Sequence, residues 1–360
     1  MRNRVLTLTA AATALTLLSP AFFPSAHAQQ TVIPLWAHGT PEPPQVPEAE
    51  VDTTKPTDSL FNGRRSQRLT NVTKPTLSVY QPTRNNTGVA ALVFPGGGYV
   101  RLAWNGEGTD TCEWLNSIGV TCLLVKYRVP EQGHYPANYA DLEDAQQAMR
   151  LAREHAAEWR INRDRIGVIG FSAGGNLAVL MSTHPDDPHV MSTHAAVDVP
   201  TINGVPRDAR PSFAIVAYPA YLATPPDETS LDPVYAPNQF TPPTFLIQAE
   251  NDKNYGRNAI VYYRALMDAH IQAELHYFAT GGHGFGIHPT GTPEEHWTAL
   301  ATFWLHTTGI IPHDLARSDS GGVSGSGIAQ PCPVVEAQPP VAGRPPRPNP
   351  NPNNTDNPCP

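Results

Sequence analysis

Short apolar runs that alternate with longer segments of helical period constrain this chain more than any other feature. The runs are Val89 to Phe94, Cys122 to Tyr127, Ile166 to Gly170, Phe213 to Tyr218, Thr244 to Ala249 and Glu274 to Phe278. Several are apolar throughout rather than at every second residue, the pattern of parallel strands buried on both faces. Between them, Leu142, Ala145, Met149, Ala152, Ala156 and Trp159 recur at three- and four-residue steps and make one apolar helical stripe. Leu177, Leu180 and Met181 do the same, and Trp297, Leu300 and Trp304 mark a last helix. Strand and helix in alternation imply right-handed crossovers and an α/β three-layer sandwich around a mainly parallel central sheet.

Both ends of the 360-residue chain depart from this pattern. Arg2 and Arg4 precede an uncharged run from Val5 to Leu18 and then Ala26-His27-Ala28, the arrangement of a signal peptide over residues 1–28. The expectation is export to a secreted or periplasmic location, a mature chain starting at Gln29, and no membrane span, because no later stretch approaches ~20 apolar residues. From Ser318 the composition falls to Gly, Ser, Pro and Asn, so residues 318–360 read as a disordered tail after a single domain over 29–317. Cys332 and Cys359 in that tail have two readings, an internal loop closure or an interchain link. Cys112 and Cys122 fall at the starts of a predicted helix and the next strand, and are expected to be small core residues rather than a bridge. Residues 29–58, rich in Pro and acids and without period, are expected to wrap the surface. The irregular stretch 185–210 is expected to roof the site.

Without the leader the chain carries 22 basic and 32 acidic residues, a net charge of −10. That balance excludes nucleic acid as a partner, since phosphate binding needs clustered cations. His184, His189 and His194 match no metal-ligand spacing and read as solvated loop histidines. The sequons at Asn71 and Asn85 read as incidental.

The chemistry-bearing residues fall at strand ends. Gly170-Phe171-Ser172-Ala173-Gly174 fits the G-x-S-x-G elbow, with a strand before it and a helix from Asn176 to Thr183 after it. The motif alone is weak, and its context carries the argument. Pro95-Gly96-Gly97-Gly98-Tyr99 follows the first apolar run, where backbone N–H groups of Gly97 and Gly98, with that of Ala173, would form an oxyanion hole. The competing reading is a plain turn. Tyr99, Arg101, Asn105 and Glu107 come next and either line a substrate pocket or start a helix with ordinary surface contacts. Asp252 lies beyond the run Thr244 to Ala249, and His283 sits among glycines at 281–286 after the run Glu274 to Phe278. The order Ser, Asp, His suits a triad of nucleophile, orienting acid and general base. Glu250 competes with Asp252 for the acid position, and Asp252 is preferred because it reaches further past the strand.

Taken with Thr70 to Leu77, Glu107-Gly108, Trp114 to Asn116, Lys126 to Arg128, Tyr135-Pro136, Asp141 to Asp144 and Asp164 to Gly167, these motifs resemble those of secreted bacterial α/β-hydrolases of the acetylxylan-esterase-like and feruloyl-esterase-like carbohydrate esterases. The resemblance runs from about Ile33 to Ile311. It implies the α/β-hydrolase fold, a Ser-His-Asp esterase without metal or organic cofactor, and a small acyl ester or acetylated oligosaccharide or polysaccharide as substrate. Two departures stand out. Asn251 replaces the first of a pair of aspartates common in the family, and the loop Lys253-Asn254-Tyr255-Gly256 looks shortened. A general carboxylesterase or lactonase is the alternative activity, and a hydrolase-fold protein that binds without catalysis is the alternative of another class.

Overall fold

A computed structural model describes residues 30–312, apart from 42–45, 59, 62–63, 132–134, 186–200, 203–204, 207–208 and 227. The expected leader, the tail with Cys332 and Cys359, His189, His194 and most of the expected roof lie outside these residues.

Eight strands form the central sheet: β1 (Gln30–Pro34), β2 (Thr76–Tyr80), β3 (Ala90–Phe94), β4 (Thr121–Lys126), β5 (Ile166–Phe171), β6 (Ala214–Ala217), β7 (Thr244–Ala249) and β8 (Ala273–Phe278). Their spatial order is β1-β2-β4-β3-β5-β6-β7-β8. From β4 to β8 all neighbours are parallel, while β2 runs antiparallel to both β1 and β4. Every residue of β3, β5 and β7 is buried, as continuous apolar runs require.

Alternation of side chains across each strand divides the core into two layers. Leu92 and Phe94 of β3 face a cluster with Leu142, Met149 and Leu177, whereas Ala91 and Val93 face one with Leu115, Trp297 and Trp304. The first layer is covered by helices α2 (Ala140–Glu154), α3 (Ala173–Thr183) and α4 (Asn258–Asp268), and the second by α1 (Asp110–Ser117) and α5 (Trp297–Thr307). Helix α2 stops at Glu154, short of the expected stripe. Ala156 and Trp159 nevertheless stay buried, because the next turns, with Trp159 N–H bonded to the His155 carbonyl, continue over the same layer.

Two expectations are corrected here. Residues 30–34 do not simply wrap the surface. They pair in register with Thr76–Tyr80 as an edge strand, with Pro34 at the strand end, where no ladder N–H is missed. Cys112 and Cys122 are core residues, but they are also bridged, with Cα atoms 5.1 Å apart. Helix α1 is short: from Cys112 to Ser117 it rises about 7.5 Å, and the chain from Val120 to Cys122 returns about 6.6 Å. The two residues therefore come level instead of lying at opposite ends of the unit.

Candidate active site

Residues at the carboxyl ends of β3, β5, β6, β7 and β8 meet in one cleft, where open parallel sheets place their ligands. The elbow after β5 holds Ser172 at φ 54° and ψ −117°, a conformation that costs a non-glycine residue about 1–3 kcal/mol. The chain is pinned there by the Ser172 N–H on the Ala217 carbonyl (3.0 Å) and by the Ser172 carbonyl, which accepts from Asn176 and Ala220 (3.1 Å each). Its neighbours must be glycine. A Cβ at Gly170 would lie 1.9 Å from the Gly174 carbonyl oxygen, and one at Gly174 would lie 2.1 Å from that of Phe94.

The Ser172 Oγ is 2.7 Å from His283 Nε2, and His283 Nδ1 is 2.7 Å from Asp252 Oδ2. Asp252 is itself held on both oxygens. Oδ1 accepts the N–H groups of Asn254 and Tyr255 (3.1 Å each), and Oδ2 also accepts from Gln248 Nε2 (3.1 Å). Burial opposes ionisation of this carboxyl, but the hydrogen bond and charge of His283 and the two backbone N–H groups outweigh it and hold Asp252 below the ordinary carboxylate value. The histidine loop is anchored by Asn251, whose side-chain oxygen accepts the Gly282 N–H at 2.8 Å. An aspartate would offer the same acceptor, so the change at Asn251 conserves the function of the position. Glu250 is exposed and makes no bond to His283.

Gly97, Gly98 and Ser172 share the wall of a cavity of about 570 Å³. Ala173 opens α3, so its N–H has no acceptor within the helix. No hydrogen bond of the Gly97 or Gly98 N–H occurs among the described residues. The helix N-terminus adds partial positive charge on the same side. Arg101 lies in the cavity wall. Tyr99 does not, which corrects its expected place there. Its positive φ of 57° turns the ring into the core, where it is 2% exposed and donates to Asn176 Oδ1 at 2.8 Å. Asn105 is likewise an anchor rather than a lining residue, accepting the Gln67 N–H and donating to the Arg65 carbonyl, both at 2.7 Å. Glu107 does line the cavity.

Sequence reasoning missed Tyr218, Tyr221 and His288. Tyr255 packs against the histidine, its ring centre 4.9 Å from that of His283, and Tyr221 packs against Tyr255 at 5.4 Å. Tyr218 follows β6 and packs edge-on to His283 at 5.5 Å. Position just past a strand's carboxyl end was the available signal for Tyr218 and Tyr221. His288 lines the cavity from the loop after β8, with Nδ1 3.8 Å from Asp110 Oδ2. Among the described residues no group of three or more His, Cys, Asp or Glu side chains could hold a metal ion.

Known proteins share this arrangement of strands. The chain is 30% identical over 229 residues to an acetylxylan esterase from Xylanibacter ruminicola, a stretch that covers 56% of this chain and 42% of that protein. It therefore spans less than half the length of that relative. It is 28% identical over 232 residues to the carboxylesterase NlhH of Mycobacterium tuberculosis, covering 58% of this chain and 70% of the other. The crystal structure of an acetyl ester-xyloside bifunctional hydrolase from Caldicellulosiruptor lactoaceticus superimposes with a TM-score of 0.57 at 27% identity, over 80% of this chain and 99% of that one. The model of the alpha/beta hydrolase fold family matches residues 91–287, more than half of the 360 residues, and the chain belongs to that family.

Proposed function

We propose that this protein is a serine esterase that removes acetyl or another small acyl group from xylan-type carbohydrate. The observation that carries the reading is the unbroken hydrogen-bonded chain from Ser172 Oγ through His283 to Asp252, opening on a cavity walled by Gly97 and Gly98. Ser172 attacks the ester carbonyl as His283 Nε2 takes its proton, forming a tetrahedral intermediate. The N–H groups of Gly97, Gly98 and Ala173 take the negative charge on the former carbonyl oxygen. Asp252 keeps the proton on Nδ1 and stabilises the imidazolium. The proton then passes to the leaving sugar oxygen as the C–O bond breaks, and water attacks the acyl-enzyme by the same route in reverse order of roles.

The carbohydrate part of the reading rests on the likeness to the acetylxylan esterase and to the acetyl ester-xyloside hydrolase. The aromatic walls of Tyr221 and Tyr255 suit the apolar face of a sugar ring, and Arg101 on the rim offers hydrogen-bond donors to its hydroxyls. Export fits the leader motif and the Cys112–Cys122 bridge, which persists in an oxidising compartment. Among the described residues no helix is long and apolar enough to cross a membrane. The likeness to the NlhH carboxylesterase supports a second reading, a general carboxylesterase.

Hydrolysis of p-nitrophenyl acetate by the wild type and by Ser172→Ala tests the chemistry, with an expected loss of about a thousandfold or more. Acetate release from acetylated xylan, set against p-nitrophenyl esters of increasing chain length, separates the two readings. Equal turnover by the wild type and the variant would remove Ser172 from the mechanism.

A further inference from the structure

The residues that follow the oxyanion glycines form an unusual turn. Asn105–Thr109 is a single π-helical turn, closed by the Thr109 N–H on the Trp104 carbonyl at 3.1 Å. Such turns fit one residue more than an α-helix and recur where a side chain must be re-aimed. Here the turn aims Glu107 inward between two glycines, and the residue is 8% exposed. A buried carboxylate is costly unless each oxygen is satisfied, and both are. Oε2 accepts the Gly96 N–H at 2.7 Å, at the root of the oxyanion loop. Oε1 accepts the Tyr218 O–H at 2.9 Å. The same Tyr218 oxygen accepts the Gly286 N–H at 3.0 Å, and the Gly286 carbonyl accepts Trp297 Nε1 at 2.7 Å. The path therefore runs from the backbone beside Gly97 to the backbone three residues past His283, through one carboxyl and one phenol.

We propose that Glu107 is a positioning residue that, through Tyr218, locks the oxyanion loop and the histidine loop into one relative placement. Those loops follow strands β3 and β8, which are four positions apart in the sheet, so sheet hydrogen bonds alone set their spacing only indirectly. Catalysis needs the oxyanion donors and His283 Nε2 in register about one tetrahedral carbon, and misplacement by ~1 Å costs about a hundredfold. Burial pushes the Glu107 carboxyl upward, while its bonds from Gly96 and Tyr218 and the nearby His283 pull it back. The bridge depends on an acceptor at both oxygens, and that requirement exposes it to isosteric substitution. In Glu107→Gln one end becomes an amide NH₂. If that end faces Gly96, two donors meet; if it faces Tyr218, the phenol proton loses its acceptor. Tyr218→Phe removes the far half of the bridge and leaves the Gly96 bond in place.

This proposal rests on the reading of Ser172 as nucleophile, and its test separates the two. Steady-state hydrolysis of p-nitrophenyl acetate is measured for the wild type, Glu107→Gln, Tyr218→Phe and the double variant, each shown to be folded by its thermal melt. Each single variant is expected to lose about 10–100-fold in kcat with KM within about threefold. The double variant should lose no more than the worse single one, because both break the same bridge. Should Glu107→Gln not fold, the kcat and KM of Tyr218→Phe decide alone. A kcat within about threefold of wild type, a change carried by KM, or losses that multiply in the double variant would overturn the proposal while the wild type remains active. A wild type without Ser172-dependent turnover would overturn the nucleophile assignment, and this proposal with it.

Discussion

Replacing Asp252 by asparagine changes one atom and, in this site, the tautomer of His283. The orientation of the new amide is dictated by its neighbours. The N–H groups of Asn254 and Tyr255 both donate to Oδ1 and are fixed in the backbone, whereas Gln248 beside Oδ2 can turn its amide to offer Oε1 as acceptor, so the amide oxygen stays at Oδ1 and the NH₂ takes the Oδ2 position, 2.7 Å from His283 Nδ1. Flipping the amide would set NH₂ against two backbone donors, at about 1–3 kcal/mol for each lost bond. With NH₂ facing it, Nδ1 must accept, and the ring proton moves to Nε2, where it meets Ser172 Oγ instead of accepting its proton. The expected loss is about 10⁴-fold in kcat, or about 5.5 kcal/mol of transition-state stabilisation. The assay is p-nitrophenyl acetate turnover at neutral pH, with near-UV circular dichroism to show that the variant is folded. Glu250→Gln, at an exposed residue without a bond to His283, serves as the comparison and should stay within about twofold. A loss of less than about tenfold in Asp252→Asn, or a larger loss in Glu250→Gln, would refute the assignment of the orienting acid.

Two further predictions concern stability. Arg128 binds Asp144 through Nε at 3.0 Å and Glu143 through Nη2 at 2.9 Å, with both carboxylates almost fully buried. Arg128→Ala strands those charges and should destabilise by about 3–5 kcal/mol in urea unfolding; a loss under about 1 kcal/mol would show that the pair is not a structural element. Burial, with help from the nearby charge of Asp144, pushes the Glu131 carboxyl from 4.5 up to about 7. An acid whose native value is raised stabilises the fold below its unfolded value, and that contribution disappears as pH rises through about 7. Glu131→Gln should therefore raise Tm at pH 8 relative to wild type more than it does at pH 5, and an equal effect at both pH values would contradict the shift.

The sheet was legible where strands are buried on both faces, because β3 and β5 carry no polar side chain and β7 only Thr244 and Gln248. Strands β1 and β2 escaped attention because Gln30–Pro34, at the edge, and Thr76–Tyr80, beside it, mix polar with apolar residues. The Cys112–Cys122 bridge was misread through helix length: a longer α1 would have carried the two residues apart. Ser172, Asp252 and His283 were readable because each sits just past a strand, with glycines marking the elbow and the histidine loop. Tyr99 was misplaced because its side-chain direction depends on one backbone angle that no residue pattern reports. The link from Glu107 through Tyr218 to Gly286 was out of reach for a similar reason, since it joins residues 111 and 68 positions apart.

The central claim is that Ser172 is the nucleophile of a covalent mechanism, and trapping it tests that claim most directly. The protein is treated with paraoxon, digested, and its peptides are analysed by mass spectrometry while residual p-nitrophenyl acetate turnover is followed. A single diethylphosphoryl group on the peptide containing Ser172, appearing in step with the loss of turnover and absent from Ser172→Ala, is the predicted result. Labelling of another residue, or full turnover by protein labelled at Ser172, would contradict it.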